Sequence, residues 1–258
     1  MNLLPNPTRL DVKSMRLLQV GVAPSPLIGV TYVRRAVRTR RQRAKTDGVH
    51  GFVDVAGEAV GFESNLERGF LVMCAVDPQV VEVTREPVVI GYENQFTKRG
   101  RYTPDFAVRR DLTIPTCWHL PDVPLAREFE LVEVKPAERF RKLAARDYSR
   151  ILVGAKVANA LGWRFSVMTE AAITPTAVRT ANAIFSTNGR ETGRYRERLR
   201  RLTTDEGETD LMSVRDALGL VCAPADVITA LHSLIREGSV ATDLYRPYDW
   251  TQRVHILG

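Results

Sequence analysis

Apolar and polar side chains alternate most clearly over residues 127–135. There Phe129, Leu131, Glu133 and Lys135 fall on one side of an extended chain, and Glu128, Glu130, Val132 and Val134 on the other. Shorter runs at 80–84, 87–92, 102–108 and 163–168 carry the same signature of a strand. Between them the period changes. Residues 64–74 place Leu66, Phe70, Leu71 and Cys74 on one helical stripe, and a longer helical segment is expected over 141–161. Helix, three or four strands, helix, strand predicts an α/β sandwich around a mixed sheet.

The flanks read differently. Residues 1–30 carry Pro5, Pro7, Pro24 and Pro26 with little period and predict an extended arm, with a short strand at 17–20. Residues 46–62 are glycine-rich and predict a hairpin leading into the first helix. Beyond 170, helices are expected over 173–186, 190–202, 213–218 and 224–237. The last has Val227, Ile228, Leu231, Leu234 and Ile235 at helical spacing and Gly238 as its C-cap. Strands at 239–244 and 251–257 follow. Two helices and a two-stranded wing predict a C-terminal winged-helix domain, in which the second helix enters a major groove. That helix offers only His232, Ser233 and Arg236 as polar reach, so protein contact is as fitting an expectation as DNA contact. The chain therefore divides into a basic arm (1–50), a central domain (51–170) and a C-terminal domain (171–258).

Charge sharpens this division. Residues 1–50 hold 10 lysines and arginines against 2 acids, while the remaining 208 hold 27 against 28, so the excess of +7 resides in the first fifth of the chain. The densest stretch runs from Tyr32 to Lys45, a pattern suited to phosphate-backbone binding or to a solvated basic tail. The cations at Arg139, Arg141, Lys142, Arg146 and Arg150 suit a solvated helix face or a DNA contact, whereas Trp163 and Phe165 are expected in the core. Three scattered cysteines, Cys74, Cys117 and Cys222, suggest neither a disulfide framework nor a zinc site. With no apolar run near 20 residues and no signal-like N-terminus, the expectation is a cytoplasmic protein without a membrane span.

The candidate chemistry lies in the middle strands. Glu133 and Lys135 point the same way, roughly 7 Å apart along a strand rising about 3.3 Å per residue. If the 102–108 run pairs beside it, Asp105 comes next to Glu133. Two carboxylates, the Val134 carbonyl and waters suit Mg²⁺, which would polarise a phosphodiester and acidify a bound water. Lys135 would orient that water or stabilise developing charge. The alternative is a surface strand with a salt bridge. Glu67, at the edge of the 64–74 helix, could reach the same ion, although Ser64-x-x-Glu67 is equally a capping box.

These motifs occur in the order Ser64-x-Leu66-Glu67, Asp77-Pro78, Glu86-Pro87, Tyr102-x-Pro104-Asp105-Phe106 and Val132-Glu133-Val134-Lys135-Pro136. In that order residues 62–170 resemble the TnsA endonuclease subunit of heteromeric cut-and-paste transposases, in the PD-(D/E)XK restriction-endonuclease-like superfamily. The resemblance implies a restriction-endonuclease-like mixed β-sheet flanked by helices. Glu67, Asp105, Glu133 and Lys135 fall on the family's active-site positions, and Glu133 stands where members carry Glu or Gln. The resemblance further implies water as nucleophile and Mg²⁺ as cofactor, for which Mn²⁺ substitutes, held by Asp105, Glu133, the Val134 carbonyl and Glu67. Its substrate would be double-stranded DNA at bacterial transposon ends. The implied reaction is cleavage of the 5′ ends, while a DDE transposase subunit (TnsB-like) cuts and joins the 3′ ends. The C-terminal domain would engage an AAA+ ATPase regulator (TnsC-like). Two other readings remain: a stand-alone restriction or repair endonuclease, and a non-catalytic winged-helix DNA-binding adaptor.

Overall fold

The structure, a computed structural model, describes residues 28–35, 49–94, 97–114, 127–143, 145–187, 208–220, 224–246 and 249–256. The expected strand at 17–20, most of the basic stretch after Arg35 and the expected helix at 190–202 lie outside these residues.

The centre is a four-stranded mixed sheet of β4 (Val80–Arg85), β7 (Phe106–Arg110), β8 (Phe129–Val134) and β9 (Arg164–Met168), in that order. The β4–β7 and β7–β8 pairs are antiparallel and β8–β9 is parallel. Every residue of β8 is buried, because both faces of the sheet are covered. Val132 and Val134 face the cluster containing α1 (Asn65–Val76), where Phe70 and Phe106 lie with ring centroids 5.4 Å apart. Phe129 and Leu131 face Ala158 of α3 (Ala145–Ala160). The period-2 reading of 127–135 thus sorts the side chains onto the sides it predicts.

Two smaller sheets flank the first. The hairpin β2 (Gly51–Val55) and β3 (Glu58–Phe62), at the place the sequence predicts one, turns through Ala56 and Gly57, both with positive φ as a tight two-residue hairpin turn requires. Its Val53, Val55, Val60 and Phe62 join the core around α1. The other sheet has β5 (Val88–Asn94) between β1 (Ile28–Arg35) and β6 (Thr97–Tyr102), all antiparallel. Its Val33, Ile90, Tyr92 and Tyr102 pack on Val153 and Val157 of α3. Residues 28–35, expected as part of an arm, are therefore a strand bonded along the length of β5.

One further expectation changes. The 102–108 run is not one strand: β6 ends at Tyr102 and β7 begins at Phe106, in different sheets. Pro104 between them has no N–H to give a ladder and favours a break. The expected 141–161 helix is α3, and a separate short helix, α2 (Ala137–Arg141), precedes it.

After β9 comes α4 (Pro175–Phe185), capped by the Thr174 side chain and started by Pro175. It lies close against α1: a Cβ on Gly69 would meet Ile173 Cγ2 at 2.9 Å and Val178 Cγ2 at 3.0 Å. The C-terminal part runs β10 (Glu208–Asp210), α5 (Leu211–Gly219), α6 (Pro224–Arg236), β11 (Val240–Thr242) and β12 (Arg253–Ile256). Its strands form an antiparallel sheet in the order β10-β12-β11. Gly238, in the left-handed region at φ 75°, ends α6, and its position lies 3.0 Å from Pro78 Cβ when a Cβ is placed on it. One hydrophobic cluster runs without a gap from α1 through α4 to Leu211, Leu231 and Val254. His232 and Ser233 are buried, and Arg236 donates to the Thr187 carbonyl at 3.1 Å. The sequence expectation that these three side chains give α6 its polar reach is corrected accordingly: two face the core and the third is engaged within the chain.

Candidate active site

The register Phe106↔Val132 places Asp105 and Glu133 at the next position across β7 and β8. Asp105 is held twice. Its carbonyl accepts from the Glu86 N–H at 2.8 Å, and its Oδ2 accepts from the Val134 N–H at 2.7 Å. Glu86, at φ 45°, is one of two non-glycine residues with positive φ among the described residues. The Glu86–Pro87 turn thus fixes the approach to Asp105 with a backbone conformation that costs free energy.

Glu133, 6% exposed, uses both oxygens. Lys135 Nζ meets Oε1 at 2.6 Å, and the buried Tyr102 hydroxyl donates to Oε2 at 2.9 Å. Lys135 is itself tied to β9 through its N–H to the Met168 carbonyl at 2.9 Å. In the sequence Tyr102 stands out only as part of a motif. Its contribution comes from the break at Pro104, which delivers the end of one sheet to the middle of another.

Glu67 occupies the first turn of α1, and its carboxylate closes a variant of the capping box that reaches the N–H one residue before the Ser64 cap. Oε2 accepts from the Glu63 N–H at 2.8 Å, Oε1 from the Ser64 hydroxyl at 3.1 Å, and the Glu67 N–H donates to Ser64 Oγ at 3.1 Å. It is close enough for its charge to act on Asp105. Among the described residues no three His, Cys, Asp or Glu side chains gather as a metal-holding group. Asp105 and Glu133 form a pair, with Glu67 anchored at the helix end.

The electrostatics follow from this crowding. Burial, and next the charge of Glu133, push the Asp105 carboxyl up to about 7, with Glu67 adding to the rise and the Val134 N–H and Lys135 opposing it. Burial and the Glu133 charge push the Tyr102 phenol well up, so it is a hydrogen-bond donor at all working pH. A pair of neighbouring carboxylates whose repulsion raises a pKa is a place where a cation is favoured.

The same sheet carries a second, buried polar group. Arg110 meets Asp77 at 2.6 Å, and Glu130 accepts from Ser166 at 2.6 Å and pairs with Arg164 at 3.3 Å. Burial opposes the Arg110 charge, but Asp77, Cys74 and Glu130 together hold its pKa above the ordinary value. Asp77 also closes α1 through its N–H to the Cys74 carbonyl at 3.3 Å. The Asp77-Pro78 motif is thus structural, tying the end of α1 to β7.

A mixed α/β arrangement with a carboxylate pair and a lysine on adjacent central strands fits a restriction-endonuclease-like fold. Residues 77–170 match the family model for the TnsA-like endonuclease N-terminal domain, so the chain carries a TnsA-like endonuclease domain. The match takes in Asp105, Glu133 and Lys135; Glu67 and everything from 171 onward lie outside it. A search of curated proteins finds no match to the chain. No helix among the described residues is long and apolar enough to cross a membrane.

Proposed function

We propose that the protein is the divalent-metal-dependent endonuclease subunit of a heteromeric transposase, hydrolysing phosphodiesters at the 5′ ends of the element. The observation that carries this reading is the Asp105–Glu133 pair across β7 and β8, with Lys135 on Glu133 and the Asp105 carboxyl pushed up to about 7. Asp105 and Glu133 would hold the metal, Mg²⁺ or Mn²⁺, with the Val134 carbonyl as a further oxygen; hard oxygen donors of this kind suit such ions. When bound, the ion supplies Lewis acidity to the scissile phosphate and to water. Lys135, fixed by Glu133 and by β9, places an ammonium where it orients the attacking water or meets charge developing on the phosphate. Glu67 adds negative charge at the site's edge from its place in the capping box.

The β10-α5-α6-β11-β12 order supports reading the C-terminal part as a winged helix. With His232 and Ser233 in the core and Ile228 39% exposed on α6, this helix is better suited to a protein, such as an AAA+ regulator, than to a major groove. A DDE transposase subunit would supply the 3′-end chemistry.

The test is nicking of supercoiled DNA carrying the element's ends, by the full chain with its transposase, in Mg²⁺ and in EDTA. Wild type is expected to nick only with metal, and Asp105→Ala not at all. Equal nicking by the two proteins removes Asp105 from the chemistry, and nicking in EDTA removes the metal.

A further inference from the structure

We propose that Tyr102 is a positioning residue for Glu133, and that Gly154 is the position in α3 that makes room for it. The inference rests on the endonuclease reading above and concerns how that site is held.

Glu133 has a flexible side chain, and a carboxylate that must present lone pairs in one direction needs its plane fixed. Here the plane is held from two sides, by Lys135 on Oε1 and by the Tyr102 hydroxyl on Oε2. Each carboxylate oxygen has a second acceptor site, so both contacts can persist when an ion is bound. Lys135 is half-buried on a long stem, whereas Tyr102 is 3% exposed, has few torsions and is wedged among Ile90, Tyr92, Val153 and Val157. Of the two, the phenol is the rigid reference. Partners of this kind, which touch a ligand and not the metal, orient ligands and are commonly needed for affinity.

Gly154 supplies independent support. Glycine in the interior of a 16-residue helix is unfavourable, so its presence calls for a local reason. A Cβ there would stand 2.6 Å from Tyr102 Cε1 and 2.6 Å from Phe165 Cε2. The helix approaches the ring too closely for a side chain unless the ring moves, so glycine here lets the ring stand where its hydroxyl reaches Glu133. A phenylalanine would fill the same space; only the hydroxyl meets the carboxylate.

The experiment compares full-length wild type, Tyr102→Phe and Gly154→Ala. Mn²⁺ binding is measured by titration calorimetry well below the melting temperature, and nicking by the complete assembly over a Mg²⁺ series. Both variants are expected to stay folded by circular dichroism, to bind Mn²⁺ about 10- to 100-fold more weakly, and to need correspondingly more Mg²⁺. A purely structural tyrosine would lower the melting temperature in EDTA and leave the metal dissociation constant of the folded protein alone. Tyr102→Phe with wild-type Mn²⁺ affinity and wild-type Mg²⁺ dependence overturns the proposal. If that variant does not fold, Gly154→Ala decides by the same two measurements. Wild type that neither binds Mn²⁺ nor nicks instead sinks the endonuclease reading, and the proposal with it.

Discussion

Replacing Asp105 with asparagine should stabilise the metal-free protein at alkaline pH while silencing it as a nuclease. The Asp105 carboxyl sits at about 7 in the folded chain against 3.8 for an ordinary aspartate. Between those values the native state binds the extra proton, so its contribution to stability is fully present below about pH 4 and is lost as pH rises through about 7. At 1.36 kcal/mol per pH unit the full loss is about 4 kcal/mol above pH 8. Relaxation around this closely coupled pair relieves part of that cost, and a gain of about 1–3 kcal/mol is expected from the substitution at pH 8. Asparagine is uncharged at every pH, and its amide oxygen can still accept from the Val134 N–H. Urea unfolding of both proteins in EDTA at pH 5 and pH 8 reads the difference. The variant should be the more stable at pH 8, and most of its advantage should disappear at pH 5. An advantage of equal size at both pH values, or a variant less stable at pH 8, would refute the electrostatic account of the site.

Two more predictions follow from neighbouring residues. Glu67→Gln keeps an acceptor for the Glu63 N–H, so its melting temperature should match wild type, while nicking falls at least about tenfold if the carboxylate charge is used; unchanged nicking would assign Glu67 to helix capping alone. Arg110→Leu leaves Asp77 and Glu130 charged and buried without their shared cation, and should cost about 3–5 kcal/mol in urea unfolding. A cost below about 1 kcal/mol would mean that water reaches this group.

Much of the site was legible because it depends on local periodicity. The alternation of 127–135 gives the facing of Glu133 and Lys135, and one pairing assumption then brings Asp105 alongside, as the register shows. Tyr102 was not legible in the same way. Its contact with Glu133 depends on a strand break that puts Tyr102 and Phe106 in separate sheets, and no periodicity within 102–108 reveals that. β1 was hidden for another reason: its arginines made 28–35 look like the start of a basic tail, although Val33 alternates into the core and the backbone pairs with β5. In α6 the polar labels of His232 and Ser233 misled, because tertiary packing buries them with partners in the chain: Thr187 lies 2.6 Å from the imidazole and the Thr229 carbonyl 2.9 Å from the hydroxyl. The Ser64 cap, by contrast, needs only four consecutive residues and forms as written.

Gly69 has a meaning beyond packing. Because α1 touches α4 there with almost nothing between them, and α4 in turn shares its apolar side with α5 and α6, the helix that begins at the edge of the candidate site has its other flank sealed by residues far downstream. A fragment trimmed at residue 170 would uncover the side of α1 around Gly69, where Ile173 and Val178 now pack, and leave it to find other company, in water or on another molecule. Anyone wishing to express the TnsA-like part by itself should expect clumping, and should carry at least α4 along.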